Sequence, residues 1–122
     1  DKVNAIANSL PPSEVFGDAE GGDVLVLGWG GTYGAITSAV RNLRTEGFPV
    51  SSLHLRNLNP FPNDLGDILS KFKQVLIPEL NMGQLSLLIR SKYLIDVISY
   101  SKVQGQPFKV SELSNKILET IR

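Results

Sequence analysis

A glycine-rich segment between two apolar segments has the residue types of an anion-binding turn. Four glycines occur between positions 28 and 34, directly after the apolar run 24–27. A strand that passes through glycines into a helix leaves backbone N–H groups free at the helix N-terminus, where the helix dipole favours negative charge. The candidate anion site is therefore Gly30, Gly31 and Thr32.

The spacing of these glycines departs from the dinucleotide-binding fingerprint. The segment contains G-x-G-x-x-x-G, and no acidic residue follows about 20 positions later, where the next predicted strand ends in His54, Leu55 and Arg56. The alternative is that the glycines let the strand and helix pack closely, with Trp29 filling a crevice. The sequence favours this packing interpretation and leaves the anion site open.

The residue types needed for a catalytic or metal site are scarce. His54 is the only histidine and the chain has no cysteine. No acidic cluster has metal-ligand spacing, and no G-x-S-x-G motif is present. Without cysteine, the chain's own side chains cannot supply thiolate ligands to an iron–sulfur cluster. The sequence therefore assigns no catalytic, cofactor-binding or metal-binding residue and predicts a structural or interface role for His54.

A second polar set follows two other predicted strands. Open α/β sheets bind ligands at the carboxyl edge of their strands, so these residues should share one edge. Met82 has the adaptable apolar side chain of an interface plug. Alternatively, Asn81 and Gln84 only cap the following helix. The candidate interface consists of Arg56, Asn57, Asn59, Glu79, Asn81, Met82, Gly83 and Gln84.

Alternating apolar runs and amphipathic segments predict an α/β fold with a mostly parallel sheet between helices. Unbroken apolar runs make 24–27 and 75–77 the expected most buried strands. Finer predictions are that Phe72 completes a helical stripe, that Leu88 faces the core and that Ser111 caps the last helix. The predicted strands are 14–16 at an edge, 24–27, 50–56, 74–77 and 96–100, and the predicted helices lie within 3–10, 35–46, 65–72, 85–89 and 112–121.

Length and charge narrow the class of protein. The 122 residues suffice for one domain, and 12 basic residues balance 12 acidic ones. Zero formal charge argues against a nucleic acid or an anionic membrane as partner. No apolar run approaches the roughly 20 residues of a membrane span. Because the chain begins at Asp1 without an initiator methionine, we expect a single-domain fragment, 1–122, of a longer cytoplasmic polypeptide.

Three segments together resemble a known family. They are LVLGWGGTYG at 25–34, LRNLNPFP at 55–62 and IPELNMGQL at 77–85. The chain resembles, from about Asn4 to Ile117, the C-terminal domain of the alpha subunit of 2-oxoacid:ferredoxin oxidoreductases, most closely the 2-oxoglutarate enzymes. The resemblance implies a three-layer fold like the transketolase C-terminal domain, with five strands of which the first is antiparallel.

The resemblance also implies a function for the whole enzyme. Such a holoenzyme decarboxylates a 2-oxoacid on thiamine diphosphate with magnesium, passes electrons through iron–sulfur clusters to ferredoxin, and forms an acyl-CoA from coenzyme A. Other alpha-subunit domains and the beta subunit hold these cofactors and are the implied partners, and this domain is a non-catalytic assembly domain. The alternative is a nucleotide- or coenzyme A-binding module that uses the glycine turn or the strand edge.

Overall fold

The computed structural model describes residues 14–56, 61–80, 83–102 and 107–121. Strands and helices alternate through most of this part of the chain, as the apolar periodicity predicts. The elements are β1 (Val15–Phe16), β2 (Gly22–Trp29), a 3₁₀ turn (Gly30–Thr32), α1 (Tyr33–Thr45), β3 (Val50–Leu55), α2 (Leu65–Ser70), β4 (Phe72–Glu79), α3 (Gln84–Tyr93), β5 (Ile98–Ser101) and α4 (Val110–Ile121). The helix predicted within 3–10 lies outside the described residues.

The five strands form one mixed sheet in the order β1-β3-β2-β4-β5. Strand β1 pairs antiparallel with β3 at the edge, and the other neighbouring strands pair in parallel. In the centre, Leu25 lies between Ser51 of β3 and Val75 of β4. This topology confirms the edge position predicted for the first strand and the antiparallel direction that the resemblance implies.

Alternate side chains of β2 enter two separate cores. Leu25 and Leu27 pack with residues of α2 and α3, whereas Val24 and Val26 pack with residues of α1 and α4 on the other face. All four side chains are fully buried, and 75–77 is at most 4% exposed. A parallel strand covered on both faces needs such a continuous apolar run, so the predicted burial is confirmed.

Two predicted helix positions are wrong. Phe72 begins β4 opposite Gly22, because the helix before it ends at Ser70. Its side chain still enters the core of α2 and α3, which is why a helical spacing described its burial correctly. Leu88 is 43% exposed, and Ser86 takes a buried position on α3 instead.

The predicted cap of the last helix is also wrong. Helix α4 already begins at Val110, so Ser111 lies within it. The Glu112 Oε1 atom accepts a 2.8 Å hydrogen bond from the backbone N–H of Lys109. This bond is one half of a capping box, in which a glutamate in the first turn reaches back to the residue before the helix. Within the described ranges, no helix has the length and apolar character to cross a membrane.

Candidate functional site

The candidate residues that the structure describes lie along one edge of the sheet, at the carboxyl ends of three adjacent strands. Strand β2 runs between β3 and β4, so the glycine turn after β2 lies between Arg56 after β3 and Gly83 after β4. Neighbouring strands are about 4.8 Å apart. Helix α1 leaves β2 towards one face of the sheet and α3 leaves β4 towards the other. This divergence makes the edge a topological switch point, where open α/β sheets bind ligands.

Gly28 and Gly30 of the turn are required for different structural reasons. A Cβ on Gly28 would collide with Ile36 Cδ1 and lie 3.0 Å from Thr32 Oγ1, and Gly30 has a φ of +66°. At Gly31 and Gly34 a Cβ would meet no heavy atom of the described structure within 4 Å. The packing interpretation therefore explains Gly28, and backbone conformation explains Gly30. Neither explains the glycines at 31 and 34.

Thr32 serves the turn itself. Its side chain is 4% exposed, and its hydroxyl donates a 3.1 Å hydrogen bond to the carbonyl oxygen of Trp29. Neither Trp29 nor Thr32 caps the following helical segment through its side chain. The candidate anion site thus presents the exposed backbone of Gly30 and Gly31 to solvent.

His54 and Tyr33 lie beside the glycine turn. His54 pairs with Gly28 across the two strands, and its ring meets that of Tyr33 edge-on at a centroid distance of 5.1 Å. Its Nδ1 atom is buried and has no hydrogen-bond partner among the described residues. Burial, and then the charge of Arg56, lower the pKa of His54 below its ordinary value of 6.5. The imidazole is therefore neutral at pH 7, and the exposed ring of Tyr33 partly covers it.

Glu79 is the most informative residue that sequence reasoning assigned differently. Its side chain is 1% exposed, so it is not accessible to a partner. Its carboxylate accepts hydrogen bonds from the N–H of Leu85 at 2.7 Å and from the N–H and hydroxyl of Ser86, both at 3.2 Å. These contacts cap α3, which the sequence interpretation assigned to Asn81 and Gln84. The sequence signal for this capping role is a glutamate at the end of a buried strand, shortly before a helix.

The other candidate interface residues divide by exposure. Arg56 and Gln84 are exposed. Gly83 precedes α3 with a φ of +81°, and a Cβ on it would lie 3.4 Å from Ser99 Oγ. The remaining four, Asn57, Asn59, Asn81 and Met82, lie outside the described residues.

Lys102 connects the same edge to the last helix. Its backbone N–H donates to the Glu79 carbonyl oxygen at 2.8 Å, and its Nζ donates to Glu112 Oε1 at 2.7 Å. The hydrogen bond from Lys102, followed by that from the Lys109 backbone, lowers the pKa of Glu112. No sequence pattern pairs residues 102 and 112, so this contact was missed.

The described residues contain no cluster of metal ligands for the metal groups that the resemblance implies for the holoenzyme. Across the described ranges, no group of three histidine, cysteine or acidic side chains could hold a metal ion. The chain also lacks the cysteine thiolates that iron–sulfur clusters require. The chemistry that this edge offers is hydrogen bonding through backbone and amide groups, together with the Arg56 charge.

The fold defines the class of domain. A split-gene transketolase, solved as an inactive β4 tetramer, superposes with a TM-score of 0.68 over 90% of this chain and 41% of its own, at 14% identity. At that identity the likeness concerns the fold alone. The chain thus has the transketolase-like α/β architecture.

Sequence similarity then defines the family. Residues 22–113 match the pyruvate:ferredoxin oxidoreductase core domain II, and the chain belongs to this family. It is 45% identical over 108 residues to the 2-oxoglutarate oxidoreductase subunit KorA of Mycobacterium tuberculosis, covering 88% of this chain and 16% of that protein. The 2-oxoglutarate:ferredoxin oxidoreductase of Magnetococcus marinus, solved with 2-oxoglutarate, coenzyme A and succinyl-CoA, superposes with a TM-score of 0.91 at 32% identity, covering 98% of this chain and 21% of that one. The chain thus spans about a fifth of these relatives.

Proposed function

We propose that the chain is a non-catalytic assembly domain of the alpha subunit of a 2-oxoglutarate:ferredoxin oxidoreductase. The holoenzyme would oxidatively decarboxylate 2-oxoglutarate, form succinyl-CoA and reduce ferredoxin in the cytoplasm. The observation that carries the proposal is the 45% identity to a 2-oxoglutarate oxidoreductase subunit over 88% of this chain. Thiamine diphosphate, magnesium and the iron–sulfur clusters belong, in this proposal, to other alpha-subunit domains and to the beta subunit.

The carboxyl edge of the sheet is the proposed assembly surface. Gly31 and Gly34 are exposed and have open space where a Cβ would lie, so a partner's backbone or side chains can approach them closely. Arg56 and Gln84 are exposed on either side and supply hydrogen-bonding groups. Glu79 contributes indirectly by fixing the start of α3. Asn57, Asn59, Asn81 and Met82 stay predicted members of this surface.

Activity of the full-length enzyme tests the proposed reaction. We expect the enzyme that contains this chain to reduce ferredoxin or a viologen dye when given 2-oxoglutarate and coenzyme A. The isolated 122-residue chain, given the same substrates and thiamine diphosphate, should show no activity. Preference for another 2-oxoacid in the full-length enzyme would contradict the assigned substrate, and activity of the isolated chain would contradict its non-catalytic role.

A second candidate is a nucleotide- or coenzyme A-binding module, and the open glycine turn favours it. Neither N-cap residue, Trp29 or Thr32, caps the start of α1 through its side chain, and Gly31 and Gly34 leave its backbone accessible. Thermal-shift measurements on the isolated chain with coenzyme A, ADP and phosphate separate the two functions. An assembly domain predicts no shift, whereas a binding module predicts saturable stabilisation that follows ligand mass action.

A further inference from the structure

Helix α3 carries an apolar face that the domain itself leaves uncovered. Of the five large hydrophobic side chains exposed in the described structure, three belong to α3 and the residue that ends it: Leu87 at 64%, Leu88 at 43% and Leu94 at 87%. Leu87 and Leu88 lie within the helix, and Leu94 follows its last residue, Tyr93, at the C-cap. Leu85 and Ile89 fill the inner side and are fully buried. The three exposed leucines are therefore not part of that core, and we call them the leucine stripe of α3.

The backbone at Leu94 is unusual for its residue type. Leu94 has φ 55° and ψ 38°, and it is the one non-glycine residue with a positive φ among those described. Glycine or asparagine normally occupies this left-handed position after a helix, because a Cβ crowds the backbone there. Leucine is therefore unfavourable at this backbone position. Its side chain is also the most exposed of the five exposed hydrophobic side chains. Strained residues of this kind cluster at functional sites, so the outlier motivates a search for a role of Leu94 beyond packing within the domain.

The turn that holds Leu94 is anchored to the domain. Arg90 donates a 2.6 Å hydrogen bond from Nη2 to the carbonyl oxygen of Val97, and its Nε lies 3.7 Å from Asp96. The backbone N–H of Leu94 donates to the Arg90 carbonyl oxygen at 3.0 Å. Leu94 therefore belongs to a turn that hydrogen bonds connect to the rest of the domain.

We propose that the leucine stripe of α3 packs against another domain of the same polypeptide. This inference rests on the proposed function, because it takes the chain as part of a longer alpha subunit. Two relatives extend well beyond it, since the chain covers 16% of one and 21% of the other. Interfaces between separate chains typically bury about 1,600 Å², more than three leucines supply. Interfaces between covalently linked domains can be smaller.

The stripe lies apart from the carboxyl-edge surface. Helix α3 begins at the carboxyl edge of the sheet and runs back, so Leu94 lies towards the amino ends of the strands. Only basic charges, Arg90 and Lys92, occur along α3, so the covering surface should be apolar with carboxylates near its rim. The domain would then be held by the rest of the subunit at two separate places.

Substitution of Leu94 by glycine tests whether the stripe serves the isolated domain. In the 122-residue chain, Leu94→Gly relieves the strained φ and removes an exposed leucine, so we expect the melting temperature to rise by about 3–6 °C. A fall would show that Leu94 packs within the chain and would overturn the proposal. This arm does not depend on the enzyme's activity.

Cysteine footprinting tests which surface covers the leucine stripe. We expect Leu87→Cys to react with a maleimide at least about tenfold more slowly in the full-length alpha subunit than in the isolated chain, as buried side chains do. Glu46→Cys, at the exposed end of α1, is the matched control and should react equally in both. The modified peptides are quantified by mass spectrometry.

Each other outcome of the footprint overturns the proposal. Equal rates at position 87 mean that nothing covers the stripe. Protection only after addition of a second subunit assigns the stripe to that subunit, and concentration-dependent protection in the isolated chain assigns it to a second copy. The activity of the full-length enzyme is measured separately, so a protected stripe in an enzyme without 2-oxoglutarate activity would refute the proposed function and keep this inference.

Discussion

Two strand-to-helix turns lie side by side at the carboxyl edge, and they are built in opposite ways. Glu79 closes the turn from β4 into α3, because its buried carboxylate accepts hydrogen bonds from the backbone N–H groups of Leu85 and Ser86. In the turn from β2 into α1, neither Trp29 nor Thr32 caps the helix through its side chain, and Gly31 and Gly34 face open space. One turn therefore satisfies its helix N-terminus internally, and the other leaves it accessible.

This difference would separate residues that stabilise the domain from residues of the proposed assembly surface. Substitutions at the closed turn should destabilise the domain, because they leave buried N–H groups without acceptors. Substitutions at the open glycines should leave the domain intact and affect only what contacts it.

The strand that leads into the open turn should contribute most to stability. Leu25 is fully buried in the core formed with α2 and α3. We expect Leu25→Ala to lower the free energy of unfolding by roughly 2–5 kcal/mol, through lost burial and the cavity that remains. Urea denaturation of the isolated chain measures this loss, and a change below about 0.5 kcal/mol, the usual scale of surface substitutions, would contradict the assigned core.

Removal of the carboxylate should open the closed turn. Glu79→Ala eliminates the acceptor of two backbone N–H groups and of the Ser86 hydroxyl. Hydrogen bonds to a charged group contribute about 1.5–3 kcal/mol, so we expect a loss of roughly 2–3 kcal/mol. Gln84→Ala, at an exposed neighbouring position, is the control and should change stability by less than about 0.5 kcal/mol. Equal effects of the two substitutions would refute the role of Glu79 as the cap.

The same substitution at two glycines should have opposite signs. Gly28→Ala places a Cβ against Ile36 Cδ1, and overpacking of this kind costs about 1–3 kcal/mol. Gly34→Ala adds a methyl group in open space within α1, where alanine is favoured over glycine by up to about 1 kcal/mol. Melting temperatures should therefore fall for the first variant and rise for the second. A loss of stability in Gly34→Ala would instead show that Gly34, like Gly28, is required for close packing of the strand and helix.

The smallest predicted effect is a pH dependence beside the open turn. Burial and then Arg56 lower the pKa of His54 in the folded chain, so the unfolded chain binds the proton more tightly. The stability from neutral His54 is fully present above its ordinary pKa of 6.5 and is lost as the pH falls through 6.5 towards the lower folded value. The urea midpoint should fall over this range in the native chain. An equal fall in His54→Gln would contradict the prediction.

The sequence predicts the strands better than the contacts that join them. The apolar run 24–27 identifies a buried central strand because burial on both faces demands apolar side chains at every position. Phe72 shows the limit, since a side chain can enter the same core from a helix or from the strand that follows it. The direction of β1 follows from the resemblance, because two strand residues carry no directional pattern.

The sequence predicted the position of the candidate site but not the roles of all its residues. Its position at the carboxyl edge follows from parallel topology, and the sequence placed the glycine turn and both neighbouring loops there. The roles of individual residues depend on contacts between elements. The pairing of Glu79 with α3 and that of Lys102 with Glu112 both span turns whose geometry no local pattern specifies.

Assembly of the full enzyme with a substitution at the open turn tests the central claim most directly. Gly34→Gln adds a large polar side chain where the isolated domain has space, at a glycine that has no positive φ. Thr45→Gln, at the exposed opposite end of the same helix, is the matched control. Sedimentation velocity should show subunit association weakened at least about tenfold, or 1.4 kcal/mol, by Gly34→Gln and unchanged by Thr45→Gln. Equal association of both variants and the native enzyme would contradict an assembly role for this edge.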